Sequence, residues 1–197
     1  MKNAIKEGDV ICFRFNDSKI TDGWDAVFFK LIRFANYMEF GRDGWIDSIN
    51  HVGIVSGFET DENGDKCATV YEALDNGVVH SPYPLWWLDN KVSDGNIVIL
   101  RPKLQIYTID KYCEQYEGIP YDWKSILAIG SLILTKKKIP FFERMKGPES
   151  QMCSEFVLRV LYDASKKQID LQKEFEKDFD RLMPMHLFYS SQFTALF

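Results

Sequence analysis

Cys153, His51 and Glu72 are the side chains from which nucleophilic and acid–base chemistry could be assembled. Cys153 stands at the front of Met152–Ala164, where residues 153, 156, 157, 160, 161 and 164 line one side of an amphipathic helix. Ser150 offers an N-cap, and Pro148 stops any earlier helix from continuing. In the first turn a thiol meets unpaired backbone N–H groups and the positive end of the helix dipole, which both favour the thiolate. Such a thiolate is a nucleophile near neutral pH. The competing reading is a small buried apolar residue on the helix's inner face.

His51 opens the run His51-Val-Gly-Ile-Val55, which reads as a strand. Beside a glycine at a strand start it can face a cleft, or it can be an ordinary surface or core histidine. Glu72 interrupts the apolar strand Thr69–Leu74, and its use depends on hairpin register. A hairpin centred between Asp61 and Glu62 sets Glu72 directly opposite His51. A two-residue turn at Asn63-Gly64 leaves the pair on one face but four residues out of register. Cross-strand contact needs Cβ atoms within roughly 5 Å, so the first register is the one expected, with a wide loop. Glu72 then fixes the imidazole tautomer and leaves the other ring nitrogen for Cys153. The alternative is a Glu72 that faces solvent. Tyr121 follows Gly118-Ile-Pro120 at an expected helix start. Its hydroxyl and the Cys153 N–H could together hold an oxyanion; packing alone is the other account.

The elements that must position these residues follow from periodicity and turn chemistry. Strands are expected at Val10–Phe15, His51–Phe58, Cys67–Leu74, Val78–Ser81 and Asn96–Arg101. Helices are expected at Asp25–Tyr37, Ile109–Tyr116, Tyr121–Leu134 and Met152–Ala164, with a charged helix or arm over Leu171–Leu182. Gly41–Asp47 and Lys136–Gly147 read as connections, and the aromatic tail from Pro184 is expected to pack on the body. Strands early and helices late imply an α+β domain spanning 1–197.

At 197 residues and 46% hydrophobic, the chain can bury a core without metal or disulfide. A net charge of −5 supplies no basic field, so no nucleic-acid partner is expected. Cys12, Cys67, Cys113 and Cys153 show no Cys-x-x-Cys spacing and do not cluster with His51, His80 and His186. Free thiols, and neither metal nor cofactor, are expected. The N-terminus lacks an apolar leader, and the longest apolar run, Ile126–Leu134, is too short to span a bilayer. A cytoplasmic location is expected, with export by a signal-independent route left open. Lys136-Lys137-Lys138 after that run could rest on an anionic membrane surface, or it could be the solvated end of a core helix. Trp86-Trp87 could line a substrate groove or serve the core.

These pieces resemble the permuted, papain-like branch of the NlpC-type cysteine peptidases, the YiiX-like hydrolases, whose relatives include the lecithin–retinol acyltransferases. The resemblance rests on an ordered set: Gly8-Asp9-Val-Ile, the Trp24–Phe34 helix, Asn50-His51-Val-Gly-Ile-Val55, Val70-Tyr-Glu72-Ala, Gly118-Ile-Pro-Tyr121-Asp, Met152-Cys153-Ser-Glu-Phe-Val157, and Met183-Pro184 leading to Leu187 and Ser190-Ser191. It implies a small antiparallel sheet or partial barrel packed against helices, with the Cys helix after the His strand, the reverse of ordinary papain-like order. It implies a cysteine hydrolase with the triad Cys153, His51 and Glu72 and with Tyr121 at the oxyanion, needing no cofactor. An amide in a peptide, of cell-wall type, is the first substrate; lipid acyl hydrolysis or transfer is the second. A non-catalytic binding module on the same fold is the reading from another class.

Overall fold

The structure is a computed structural model and describes residues 5–14, 24–46, 48–74, 76–122 and 152–196. Strand β1 (Val10–Arg14) precedes helix α1 (Trp24–Ile46). Then come β2 (Ile49–Thr60), β3 (Lys66–Leu74), β4 (Gly77–Pro84), α2 (Leu85–Ser93) and β5 (Ile97–Pro102). Helix α3 (Ile109–Cys113) runs into a 3-10 turn, Glu114–Tyr116. The last part holds α4 (Cys153–Ala164), α5 (Leu171–Phe175), a 3-10 turn at Phe179–Arg181, α6 (Pro184–Tyr189) and β6 (Phe193–Leu196). The fold is α+β. Six antiparallel strands form one open sheet in the order β4-β3-β2-β1-β5-β6.

Both faces of the sheet are covered, which is why its central strands are apolar on alternate and adjacent residues alike. Val10, Cys12, Val52, Ile54 and Leu100 face α4, whose Phe156, Val157, Val160 and Leu161 are fully buried. Ile11, Val55, Val70 and Ile99 face the other way and meet Leu88 of α2. Burying a side chain such as Phe156 or Leu88 contributes roughly 1.5–3 kcal/mol. No helix among the described residues is long and apolar enough to cross a membrane.

Several expectations need correction. Helix α1 does not stop at Tyr37 before a loop; it continues to Ile46 through a kink at Gly41, where φ is 69°. With ψ at −149° Gly41 is itself not helical, so two helical segments meet there in a backbone conformation open to glycine at little cost. Leu171–Leu182 is not one helix. Asp170 caps a short α5 by accepting from the Lys173 N–H, and Glu176 ends it in the left-handed region. Helix α2 was not foreseen. Tyr121 makes an isolated β-bridge instead of opening a helix. The rest of the helix expected to Leu134, the lysine cluster and Ser150 lie outside the described residues.

The β2–β3 hairpin takes neither register weighed above. Asp61 closes a loop through Asp65, its Oδ1 accepting from the N–H groups of Asn63 (2.9 Å) and Asp65 (2.8 Å). Thr60 pairs with Lys66, a bulge falls at Ser56, and Gly53 pairs with Glu72. The bulge adds one residue to β2 and shifts every pair beyond it. His51 therefore sits two residues beyond the partner of Glu72.

Candidate active site

His51 reaches Glu72 along a diagonal. Its Nε2–H donates to Glu72 Oε2 at 2.7 Å, although the residue directly opposite Glu72 is Gly53. The absence of a side chain at Gly53 is what permits this. A Cβ there would lie 2.6 Å from Val70 Cγ1 and 3.3 Å from Glu72 Cβ. A second bulge, at Asn50, separates the β1–β2 pairs Phe13–His51 and Arg14–Ile49 and sets the strand's approach. The His51 ring lies against Phe13, with centroids 5.3 Å apart.

Cys153 arrives from the helical layer. Met152, extended at φ −79° and ψ 158°, is the N-cap of α4, so Cys153 is its first helical residue, two positions nearer the terminus than a Ser150 cap implies. The Cys153 N–H is therefore one of the N-terminal donors that have no intrahelical acceptor. The β2–β3 ladder ends at Gly53–Glu72. Just beyond it, the Val52 N–H and the His51 ring both bear on the Cys153 sulfur. With His51 Nε2 committed to Glu72, Nδ1 is the nitrogen left for the thiol.

The electrostatics follow from burial and these contacts. Cys153 is 3% exposed. Burial alone would raise its pKa, but hydrogen bonding and attraction from His51, the Val52 N–H and the Tyr121 hydroxyl together hold it below the ordinary thiol value. Burial opposes the His51 cation, yet Cys153 and Glu72 outweigh it and push the imidazole up to about 10. Burial also opposes the Glu72 carboxylate, and His51, Ser81 and Tyr83 overcome it, so its pKa is lowered. At neutral pH His51 is an imidazolium backed by the Glu72 carboxylate, and that cation favours the thiolate of Cys153. Tyr121 interacts with both the thiol and the backbone N–H of Cys153; burial and that sulfur raise its pKa and keep the hydroxyl protonated.

The structure thus brings Cys153, His51, Glu72 and Tyr121 together. It also adds Tyr83, whose hydroxyl donates to Glu72 Oε1 at 2.9 Å. Sequence reading missed Tyr83 because its strand partner is Ala68, four residues from Glu72, and no local pattern marks the contact. The other thiols are free. Burial pushes Cys12 and Cys113 far above the physiological range, as befits inert core cysteines. His80 pairs with Glu117 at the surface, 3.3 Å away. His186 is buried between the rings of Phe40 and Phe175, and its Nδ1 accepts from the Met183 N–H at 3.0 Å. Trp86 is exposed and donates to Asp65, whereas Trp87 packs on Tyr83. Among the described residues no three His, Cys, Asp or Glu side chains gather as a metal ion requires. Compared with known proteins, the chain matches no family model, no curated protein and no solved structure.

Proposed function

We propose that this chain is a cysteine hydrolase that opens an amide bond in a peptide substrate through a thioester on Cys153. The observation that carries the reading is the line Cys153–His51–Glu72, with the sulfur at a helix N-terminus and the imidazole held by a buried carboxylate at 2.7 Å. The thiolate attacks the carbonyl carbon. The oxygen, as it gains charge, takes hydrogen bonds from the Cys153 N–H and the Tyr121 hydroxyl, two groups already in mutual contact. The His51 imidazolium protonates the leaving amine, then draws a proton from water as that water opens the thioester. Glu72 keeps the imidazole oriented and its cation stable throughout. The scheme needs no cofactor. The order of His strand before Cys helix, and the resemblance it carries, favour a permuted papain-like ancestry and a peptide of cell-wall type.

The test is the rate of iodoacetamide alkylation at each cysteine against pH, read by mass spectrometry on wild type and His51→Ala. Cys153 reacts fastest near pH 6, and His51→Ala returns it toward ordinary thiol behaviour near pH 8.5. A Cys153 that titrates as an ordinary thiol near that value, with or without His51, sinks the proposal in favour of a binding module. Incubation with peptide amides and lipid esters then identifies the substrate by the mass added at Cys153. Cys153→Ala retains below about 1% of any turnover.

A further inference from the structure

Tyr83 has no part in the bond-making steps above, yet it completes the line behind them. It lies on the edge strand β4, and its hydroxyl takes Glu72 Oε1 at 2.9 Å while His51 takes Oε2 at 2.7 Å. The carboxylate is therefore gripped from both directions along the strand. Tyr83 reaches it from the Ala68 end, and His51 reaches it from beyond Gly53. Glu72 is 1% exposed, so water does not offer either oxygen a ready substitute. The Tyr83 ring is itself fixed, 5.8 Å from Phe13 and 5.4 Å from Trp87 of α2, and Phe13 also flanks His51. Three rotatable bonds separate a glutamate carboxylate from its backbone, so it keeps freedom to swing unless both oxygens are held, even with the Ser81 hydrogen bond beside that of His51. A second anchor on the other oxygen removes that freedom, as the outer partners of catalytic groups commonly do.

We infer that Tyr83 is a positioning residue of this site, holding the Glu72 carboxylate in the orientation that keeps His51 on Cys153, and that α2 sets Tyr83 through Trp87. The inference rests on the Cys153–His51 reading proposed above. A tyrosine that merely satisfied a buried carboxylate would affect stability and leave the thiol's titration in place. A positioning tyrosine affects the titration, because a displaced carboxylate no longer stabilises the imidazolium, and the thiolate then loses its partner.

The experiment is the pH profile of Cys153 alkylation in wild type, Tyr83→Phe and the control Tyr71→Phe. Tyr71 lies on the opposite sheet face from Glu72 and Tyr83, with its ring against His80. Tyr83→Phe is expected to slow alkylation at pH 6.5 about 10-fold and to move the thiol's apparent pKa upward, toward 8.5. Tyr71→Phe leaves the profile unchanged. If Tyr83→Phe loses its cooperative thermal transition, Trp87→Leu replaces it, since it loosens the ring and spares the hydroxyl; the same upward movement is expected. A wild-type profile with a depressed thiol pKa that Tyr83→Phe, or its replacement, reproduces unchanged overturns this inference alone. A wild-type Cys153 that titrates as an ordinary thiol overturns the hydrolase reading and this inference with it.

Discussion

Gly53→Ala is the smallest change that should damage both the fold and the candidate site. The added Cβ would stand 2.6 Å from Val70 Cγ1, 3.1 Å from the Tyr71 carbonyl oxygen and 3.3 Å from Glu72 Cβ. Carbon–carbon contacts settle near 3.5–4.0 Å, so Val70 or the strand must give by about 1 Å. Val70 is a stiff, β-branched side chain in the second core cluster, and the carbonyl belongs to the ladder, so neither yields cheaply. Overpacking of this kind typically costs about 1–3 kcal/mol. Replacing glycine by alanine returns roughly 0.4–1 kcal/mol by restricting the unfolded chain. The net loss, centred on about 1.3 kcal/mol, lowers the melting temperature by about 3–5 °C for a chain of this size. Displacement of Glu72 by a fraction of an ångström should also slow Cys153 alkylation at pH 6.5 about 10-fold or more, since misplacement by 1 Å can cost about 100-fold. Differential scanning fluorimetry and the alkylation assay read the two effects on one sample. Gly57→Ala is the control, because a Cβ there meets nothing within 4 Å; it should be neutral or slightly stabilising. A Gly53→Ala protein that melts no lower than Gly57→Ala, with Cys153 reacting at the wild-type rate, would refute the claim that an empty position opposite Glu72 builds the diagonal contact.

Two further predictions concern charge. Glu72 has a lowered pKa, so the stability it lends is present above its ordinary value of 4.5 and is lost as pH falls through the folded value. His51 has a raised one, so its share is complete below 6.5 and is lost as pH rises toward about 10. The gap in melting temperature between wild type and Glu72→Gln should therefore be widest between about pH 4.5 and 6.5 and narrow on either side; a gap that is flat from pH 4 to 10 would contradict the ion pair. Asp9 is 1% exposed and receives Arg101 through Nε at 2.8 Å and Nη2 at 2.7 Å, besides the Lys6 N–H at 2.8 Å. Asp9→Asn strips the charge from a largely buried pair and should cost about 3 kcal/mol in urea unfolding, discounted from the range for fully buried pairs because Arg101 is 25% exposed. Cys153 alkylation should keep its wild-type pH profile in the folded variant, because Asp9 lies at the opposite end of β1 from Phe13 and His51.

What the sequence determined by itself is what local chemistry controls. The 3.6-residue recurrence of apolar positions announced α4 and put Cys153 in its first turn, because a helix's burial pattern is written within one segment. Asn63-Gly64 announced a turn, and Gly64 adopts a φ of 85° that other residues resist. The apolar runs announced five of the six strands, and His51 and Glu72 stood out as polar groups in apolar company. Everything that depended on counting across the sheet was decided by tertiary structure. The bulges at Ser56 and Asn50 each shift the ladder by one residue, and nothing in their local sequence marks them. The pairing of Thr60 with Lys66 and the Ser56 bulge turned an expected face-to-face pair into a diagonal one that Gly53 makes room for. Residues 193–196 read as tail because a four-residue edge strand has too little pattern to declare itself before β5 offers it a partner. Tyr83 gave no signal in the sequence because a hydrogen bond spanning two strands has no sequence period. Even the ionisation of Cys153 and His51 belongs to the assembled molecule: burial, a carboxylate and hydrogen bonds from the Val52 N–H and Tyr121 act together on two groups 102 positions apart in the chain.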